Sequence, residues 1–153
     1  VLMVRRGFDK EDFARNHPGG ELGKQLALKV ENIMHPINDV AQINNEDSIS
    51  SCAKKMTDNP LGAALLLENG SLKGIVTEGD LRKSIASNLD LSNSIEPFIN
   101  DNPISIHSSV SILDAMKIME DRSSKISCLP VVDSDGKCLG LLTIHDLYQT
   151  KLV

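Results

Sequence analysis

The sequence predicts an α/β chain, more narrowly α+β, made of two βαββα-like repeats in tandem, and two observations carry that prediction. The stretch Gly74-Ile75-Val76-Thr77-Glu78-Gly79-Asp80-Leu81 returns as Gly140-Leu141-Leu142-Thr143-Ile144-His145-Asp146-Leu147. Both times an apolar, strand-like run passes through Thr-x-x-Asp into a helix-like tail. Upstream of each ending stand a segment with helical periodicity and then a hairpin signal.

The elements follow in order. Val30-Glu31-Asn32-Ile33-Met34 is echoed by Ile95-Glu96-Pro97-Phe98-Ile99, and each is expected to form a one-turn lead-in helix. Ile49, Cys52, Ala53 and Met56 fall at i, i+3, i+4 and i+7, as do Ile112, Ala115, Met116 and Met119, so each repeat has a helix with one apolar face. Ser48 and Ser111 are the candidate caps. Ala63 to Leu67 and Leu72 to Thr77 flank the turn Glu68-Asn69-Gly70-Ser71; Cys128 to Val132 and Lys137 to Thr143 flank Asp133-Ser134-Asp135-Gly136. Each pair predicts a β-hairpin. Closing helices are expected from Asp80 and from Asp146, and the polar stretch Ser87 to Ser94 links the copies. The expected division is residues 29–86 for the first repeat, 87–94 for the linker and 95–153 for the second repeat.

Residues 1–28 resemble neither repeat. Val1 to Gly7 has the pattern of the last turn of an apolar helix closed by glycine, so the chain is expected to be a piece of a longer one. A short helix around Phe8 to Ala14, with Asp9 as cap, precedes His17-Pro18-Gly19-Gly20-Glu21-Leu22-Gly23-Lys24. These glycines lack the spacing and the terminal Ser/Thr of a Walker loop, and predict a turn launching a helix over 21–28.

Composition narrows the function. With 153 residues, 41% apolar, the chain can form one ordinary domain or two small subdomains sharing a core. Aromatics are only 3%, with no Trp, so stacking platforms for single-stranded nucleic acid are lacking. A net charge of −5 with no cationic run beyond Arg5-Arg6 or Lys54-Lys55 argues against a phosphate-backbone partner. Cys52, Cys128 and Cys138 lie in apolar segments without Cys-x-x-Cys spacing, which predicts buried free thiols and a reducing, cytoplasmic setting. No run reaches the roughly 18 apolar residues of a membrane span. His35, His107 and His145 with the cysteines have no zinc spacing, so no metal is expected.

The paired Thr-x-x-Asp turns allow two roles. A hydroxyl and a carboxylate there can cap the following helix. They can equally hold a ligand, since an ionised carboxylate accepts from two adjacent hydroxyls. Thr77, Asp80, Arg82, Thr143, His145 and Asp146 are therefore the candidate ligand-binding residues, Arg82 for a phosphate. A solvated surface role serves Arg82 and His145 equally. Tyr148 stands where the second repeat would need a cation to match Arg82, which leaves one cleft suited to an anion.

The element order, with Gly-h-h-Thr-x-x-Asp-Leu ending both copies, resembles the cystathionine-β-synthase (CBS) domain, which occurs in tandem pairs related by a pseudo-twofold axis. The resemblance implies two clefts that bind adenosine nucleotides or related ligands, the Asp taking ribose hydroxyls and the Thr assisting. The approach, Gly7-Phe8, Asp12-Phe13-Ala14, His17-Pro18-Gly19-Gly20 and Leu22-Gly23, followed by Thr77-Glu78-Gly79-Asp80-Leu81-Arg82 and His145-Asp146-Leu147, resembles bacterial D-arabinose 5-phosphate isomerases. These join a sugar isomerase (SIS) domain to a CBS pair. That resemblance implies a parent enzyme interconverting D-ribulose 5-phosphate and D-arabinose 5-phosphate, at the entry to 3-deoxy-octulosonate and lipopolysaccharide synthesis, with no cofactor required. It places His17 at an active-site histidine of the parent, inactive here without the rest of the SIS domain. It further implies a homo-oligomer formed through CBS pairs, contact with the upstream SIS domain, and an effector such as cytidine monophosphate-activated 3-deoxy-octulosonate or adenosine monophosphate. The alternatives are a dimerisation module with empty clefts and the CBS tail of another enzyme.

Overall fold

The protein, described here from a computed structural model, is defined at Gly23 and over residues 27–151. His17 and the helices expected within residues 1–26 lie outside the described residues, Gly23 excepted.

The first lead-in is α1 (Val30–Ile33), followed by β1 (His35–Pro36), a 3-10 turn at Ile37–Asp39 and β2 (Ala41–Ile43). Ser48 and Ser111 do cap the two amphipathic helices. The Ser48 hydroxyl accepts from the Ser51 amide at 3.0 Å to open α2 (Ile49–Asp58). Ser111 accepts from the Asp114 amide at 3.1 Å to open α4 (Ile112–Glu120). Of each predicted apolar face, Ile49, Cys52 and Met56, and Ile112, Ala115 and Met119, are buried.

β3 (Ala63–Glu68) and β4 (Ser71–Thr77) turn through Asn69 and Gly70, both left-handed at φ 51° and 79°, the conformation that a two-residue type I′ hairpin requires. β6 (Cys128–Val132) and β7 (Cys138–Thr143) turn through a longer loop in which one Asp133 carboxylate oxygen accepts from the amides of Asp135 and Lys137. The closing helices are α3 (Glu78–Ala86) and α5 (Ile144–Gln149). They begin two residues before the expected Asp80 and Asp146, because Thr77 and Thr143 are the caps and each Asp is the third helical residue. The second lead-in is a 3-10 turn at Glu96–Phe98, and β5 (Ile106–His107) precedes α4. β2 and β5 supply the leading strand of each βαββα repeat, for which the sequence points to no particular residues, and β1 is an addition; each is two or three residues long.

One sheet has the order β2-β3-β4 and the other β1-β7-β6-β5. β2 runs parallel to β3 and β5 parallel to β6, while both hairpins are antiparallel. Side chains alternate across each strand. Ala64 and Val76 pack beneath α2, whereas Ala63, Leu65 and Ile75 meet Cys128, Cys138 and Leu141 from the other sheet. Leu129, Val131 and Leu142 face α4 and α5. The layers are therefore helix, sheet, sheet, helix.

The lead-ins are exchanged between the repeats. The Val30 amide donates to the Val110 carbonyl (2.9 Å) and the Glu31 amide to that of Ser108 (3.0 Å), and the Val30 side chain is buried with Ile112 and Leu147 of the second repeat. Ile95 is buried with Ile49 and Val76 of the first, while Asn100 and Ile75 exchange backbone bonds of 3.0 and 2.9 Å. The hairpins also touch at their tips, where the Cys138 amide donates to the Gly70 carbonyl (2.9 Å).

Candidate functional site

The two Thr-x-x-Asp turns are built alike. A strand leaves the sheet contact, the Glu78 amide donates to the Gly62 carbonyl (3.1 Å) and the Ile144 amide to that of Ser127 (2.8 Å), and a helix starts. At the first turn, Asp80 Oδ2 accepts from the Thr77 amide and from the Thr77 hydroxyl, each at 2.9 Å. At the second, Asp146 Oδ2 accepts from the Thr143 amide at 2.8 Å and the hydroxyl at 2.7 Å. Each threonine oxygen in turn accepts from the Asp backbone amide, at 3.4 and 3.2 Å. This is a reciprocal capping box, so the capping role is fulfilled by one oxygen of each carboxylate. Ligand recognition falls to the other oxygen, Oδ1.

Oδ1 differs between the turns. On Asp80 it accepts no hydrogen bond among the described residues. On Asp146 it accepts from Nε2 of His35 at 2.9 Å, an ion pair whenever the imidazole is protonated. His35 lies in β1, paired with β7 in the register His35↔Leu141 and Pro36↔Gly140. Gly140 permits this approach, because a Cβ there would collide with the His35 carbonyl oxygen. In the first repeat, a Cβ on Gly74 would lie 3.1 Å from the Asn100 carbonyl oxygen and 2.6 Å from Cγ2 of Ile99. Glycine in each Gly-h-h-Thr run is thus explained by the lead-in that crosses it.

Three connected depressions occupy the space around these turns. One of about 480 Å³ is lined by His35, Pro60, Glu78, Thr143, His145 and Asp146. A second of about 360 Å³ is lined by Thr77, Glu78, Gly79, Arg82 and Lys125, and a third of about 240 Å³ by Thr77, Asn100, Ile104 and Arg122. Gly62, Ser127 and Cys128 form the wall between the first and the second. The Cys128 thiol, whose sulfur donates to the Leu61 carbonyl at 3.3 Å, is pushed up in pKa by burial first, with the charges of Glu78 and Asp146 adding to it against a hydrogen bond from Ser127.

The structure brings Thr77 and Arg82 to one cleft, beside the Asp80 box, and Thr143, His145 and Asp146 to the other. Arg82 makes one long bond, Nε to the Glu78 carbonyl at 3.4 Å. His145 Nε2 lies 3.1 Å from Nε2 of Gln149. Tyr148, 51% exposed, donates its hydroxyl to Glu120 (3.0 Å) and is not part of the cleft lining. Sequence reasoning missed His35, which had been considered only for zinc, and also Arg122 and Lys125. The position of His35 relative to the repeat, matching Asn100, was the signal available for it.

Architecture and paired turns together define a tandem CBS module, and the chain belongs to the CBS domain family, which it matches over residues 30–87 and 95–151. Among solved structures, it superposes on the CBS-pair protein CBSX2 from Arabidopsis thaliana with a TM-score of 0.68 at 19% identity, covering 82% of this chain and 95% of that one. The CBS domain pair of protein MJ0100, solved in complex with 5′-methylthioadenosine and S-adenosyl-L-methionine, superposes with a TM-score of 0.69 at 25% identity over 80% and 94% of the two chains. At the level of the particular protein, the chain is 39% identical over 97% of its length to the arabinose 5-phosphate isomerase KdsD of Pseudomonas aeruginosa, and 32% identical over its whole length to KdsD of Escherichia coli. The arabinose 5-phosphate isomerase GutQ of Salmonella typhi is 31% identical, again over the whole chain. The chain spans about half the length of these relatives, 46–47%. Among the described residues, no helix is long and apolar enough to cross a membrane.

Proposed function

We propose that this chain is the regulatory, nucleotide-binding CBS pair of a sugar-phosphate isomerase that interconverts D-ribulose 5-phosphate and D-arabinose 5-phosphate for 3-deoxy-octulosonate and lipopolysaccharide synthesis. The observation that carries the reading is the duplicated Thr-x-x-Asp box beside two clefts, in a chain that is matched over 97% or more of its own length by about half of each arabinose 5-phosphate isomerase named above. The MJ0100 CBS pair, solved with 5′-methylthioadenosine and S-adenosyl-L-methionine, supports a nucleoside ligand. Asp80 or Asp146 takes ribose hydroxyls through Oδ1, Thr77 or Thr143 assists, Arg82 meets a phosphate and His145 lines the second cleft. The effector is cytidine monophosphate-activated 3-deoxy-octulosonate, the activated end product, or adenosine monophosphate. Residues 27–151 do no chemistry in this reading. Isomerisation belongs to an upstream SIS domain, with His17 on its border, and needs no cofactor because a base and an acid can move the proton through an enediol.

Calorimetric titration with both nucleotides tests this. Asp80→Ala or Asp146→Ala in the occupied cleft should cost about ten- to a hundredfold in affinity. Because each Asp also caps a helix, circular dichroism must first show the variant folded at the titration temperature. Absence of binding by either nucleotide at millimolar concentration overturns the reading.

A second reading, a dimerisation module with empty clefts, is favoured by an apolar groove between α2 and α3, lined by Ala53, Met56, Leu81 and the half-exposed Ile85. Sedimentation as a monomer at high micromolar concentration would exclude it.

A further inference from the structure

The two clefts are built from equivalent elements, and their differences lie in charge and in one side chain. We propose that they are not equivalent sites: the Thr77 cleft receives the phosphate-bearing ligand, while the Thr143 cleft rejects phosphate and is occupied by the protein's own His35. This inference rests on the nucleotide-binding reading above and assigns each cleft its ligand class.

The first observation is His35 itself. His35 and Asn100 occupy matching places, each paired with the residue that follows the close-approach glycine, His35↔Leu141 and Asn100↔Ile75. Yet His35 reaches Asp146 Oδ1 at 2.9 Å, whereas the Asn100 side chain turns back to accept from the Asn102 amide at 3.0 Å. The carboxylate oxygen that would take a ribose hydroxyl is therefore unbonded among the described residues at the Asp80 turn, although Asp80 itself lies beside the cleft lining and not in it, and taken at the Asp146 turn. The Asp146 side chain is only 11% exposed, so a ribose hydroxyl has to compete with His35 for Oδ1.

Charge is the second observation. Arg82 and Lys125 line the Thr77 cleft, and Arg122 lines the depression that shares Thr77, Ile126 and Cys128 with it. Among the described residues, the charged and titratable groups lining the Thr143 cleft are His35, Glu78, His145, Asp146 and Cys128, with no lysine or arginine. Tyr148, at the place of Arg82, faces Glu120 instead. Lys125 is held by Glu120 at 2.7 Å, but it is 70% exposed, and such a pair is screened and readily exchanged. Arg122 makes no side-chain hydrogen bond or ion pair among the described residues. A phosphate entering the Thr77 cleft meets two cations, Arg82 and Lys125, against Glu78, with Arg122 in the adjoining depression, while in the Thr143 cleft it meets the carboxylates of Glu78 and Asp146.

The test uses adenosine monophosphate and adenosine, which differ only in the phosphate, with amide NMR shifts to report the cleft. Adenosine monophosphate should bind one per chain and move Gly79 rather than His145. Arg82→Ala with Arg122→Ala should weaken adenosine monophosphate about tenfold or more and leave adenosine within about twofold. Emptying the second cleft by His35→Ala, or by His35→Asn, whose side chain is too short to reach Asp146, should add a site that moves His145 and accepts adenosine but not adenosine monophosphate. Thermal melts establish that the variants fold. Two equal adenosine monophosphate sites, unchanged affinity in the arginine variant, or a His35 variant that gains no second site would each overturn the inference while leaving nucleotide binding intact. Failure of both ligands to bind would remove it together with the reading on which it rests.

Discussion

Replacing Gly140 with alanine should destabilise the protein by about 2–4 kcal/mol, and the reasoning is geometric. Gly140 lies inside β7, between Pro36 of β1 and Val131 of β6. An added Cβ would overlap the His35 carbonyl oxygen and stand 3.0 Å from its carbon and 3.3 Å from Cα of Pro36. All three are backbone atoms, so no rotamer change relieves the collision, and β1 has to leave β7. Overpacking of this kind costs about 1–3 kcal/mol, and each backbone bond lost with the strand adds about 0.5–1.5 kcal/mol. The sum is a large part of the 5–15 kcal/mol by which a domain is typically stable. Urea unfolding followed by circular dichroism measures it, with Gly79→Ala as the control. Gly79 is helical, its nearest neighbour is the Thr77 hydroxyl at 3.6 Å, and alanine there should be neutral or stabilising by up to about 1 kcal/mol. A Gly140→Ala protein within about 0.5 kcal/mol of the original, with an unchanged m-value, would refute the account of why glycine stands there.

Further expectations concern buried charge, thiols and the core. Asp47→Ala removes acceptance from Ser51 (2.8 Å), Lys55 (2.8 Å) and the Asn44 amide (2.9 Å), and should cost about 1.5–3 kcal/mol in urea unfolding at neutral pH. Burial raises the pKa of this carboxyl, but the bonds from Lys55, Asn44 and Ser51 outweigh it and hold it below the usual range. The contribution is therefore present above the ordinary value of 3.8 and lost as pH falls through the depressed folded value, so wild type and variant should converge in acid. Cys52 is pushed up to about 11 by burial first and by the Asp47 charge second, against the Lys55 charge. Unfolded thiols ionise near 9.0, so stability should hold below that pH and decline as pH rises through about 11, with a shallower decline in Cys52→Ala; equal slopes would count against burial as the cause. Met119→Ala, at a fully buried position between α4 and the second sheet, should cost about 2–5 kcal/mol on the same assay.

Much of this architecture was legible because its signals are local. Asn69-Gly70 specifies a hairpin by backbone preference alone, and Ser48 and Ser111 cap the helices that follow them by accepting from amides three residues on. The repeat of Gly-h-h-Thr-x-x-Asp paired the closing turns before any coordinates. The residues of β1, β2 and β5 are not legible in the sequence because two or three residues carry no periodicity; tertiary pairing alone makes them strands. The bond between His35 and Asp146 joins residues 111 apart, and the one hint of it in the sequence is the place of His35 directly after the echoed lead-in. The helices start at Glu78 and Ile144, two residues before the expected Asp, because the Thr and not the Asp of each Thr-x-x-Asp is the cap, and the Asp carboxylate has one oxygen left over.

The exchange of lead-ins gives covalent order and spatial order different meanings. Residues 30–36 open the first repeat along the chain but complete the second repeat's core and sheet, and Ile95 to Asn100 do the reverse. Neither half owns all the residues that fill it. Two separate one-repeat chains could reach the same packing only by swapping these arms as a dimer, so the tandem chain has the connectivity expected of such a dimer fused end to end. A pull on the polypeptide ahead of Val30 would also be felt first at α4 and the Asp146 turn, in the half of the molecule more distant in sequence.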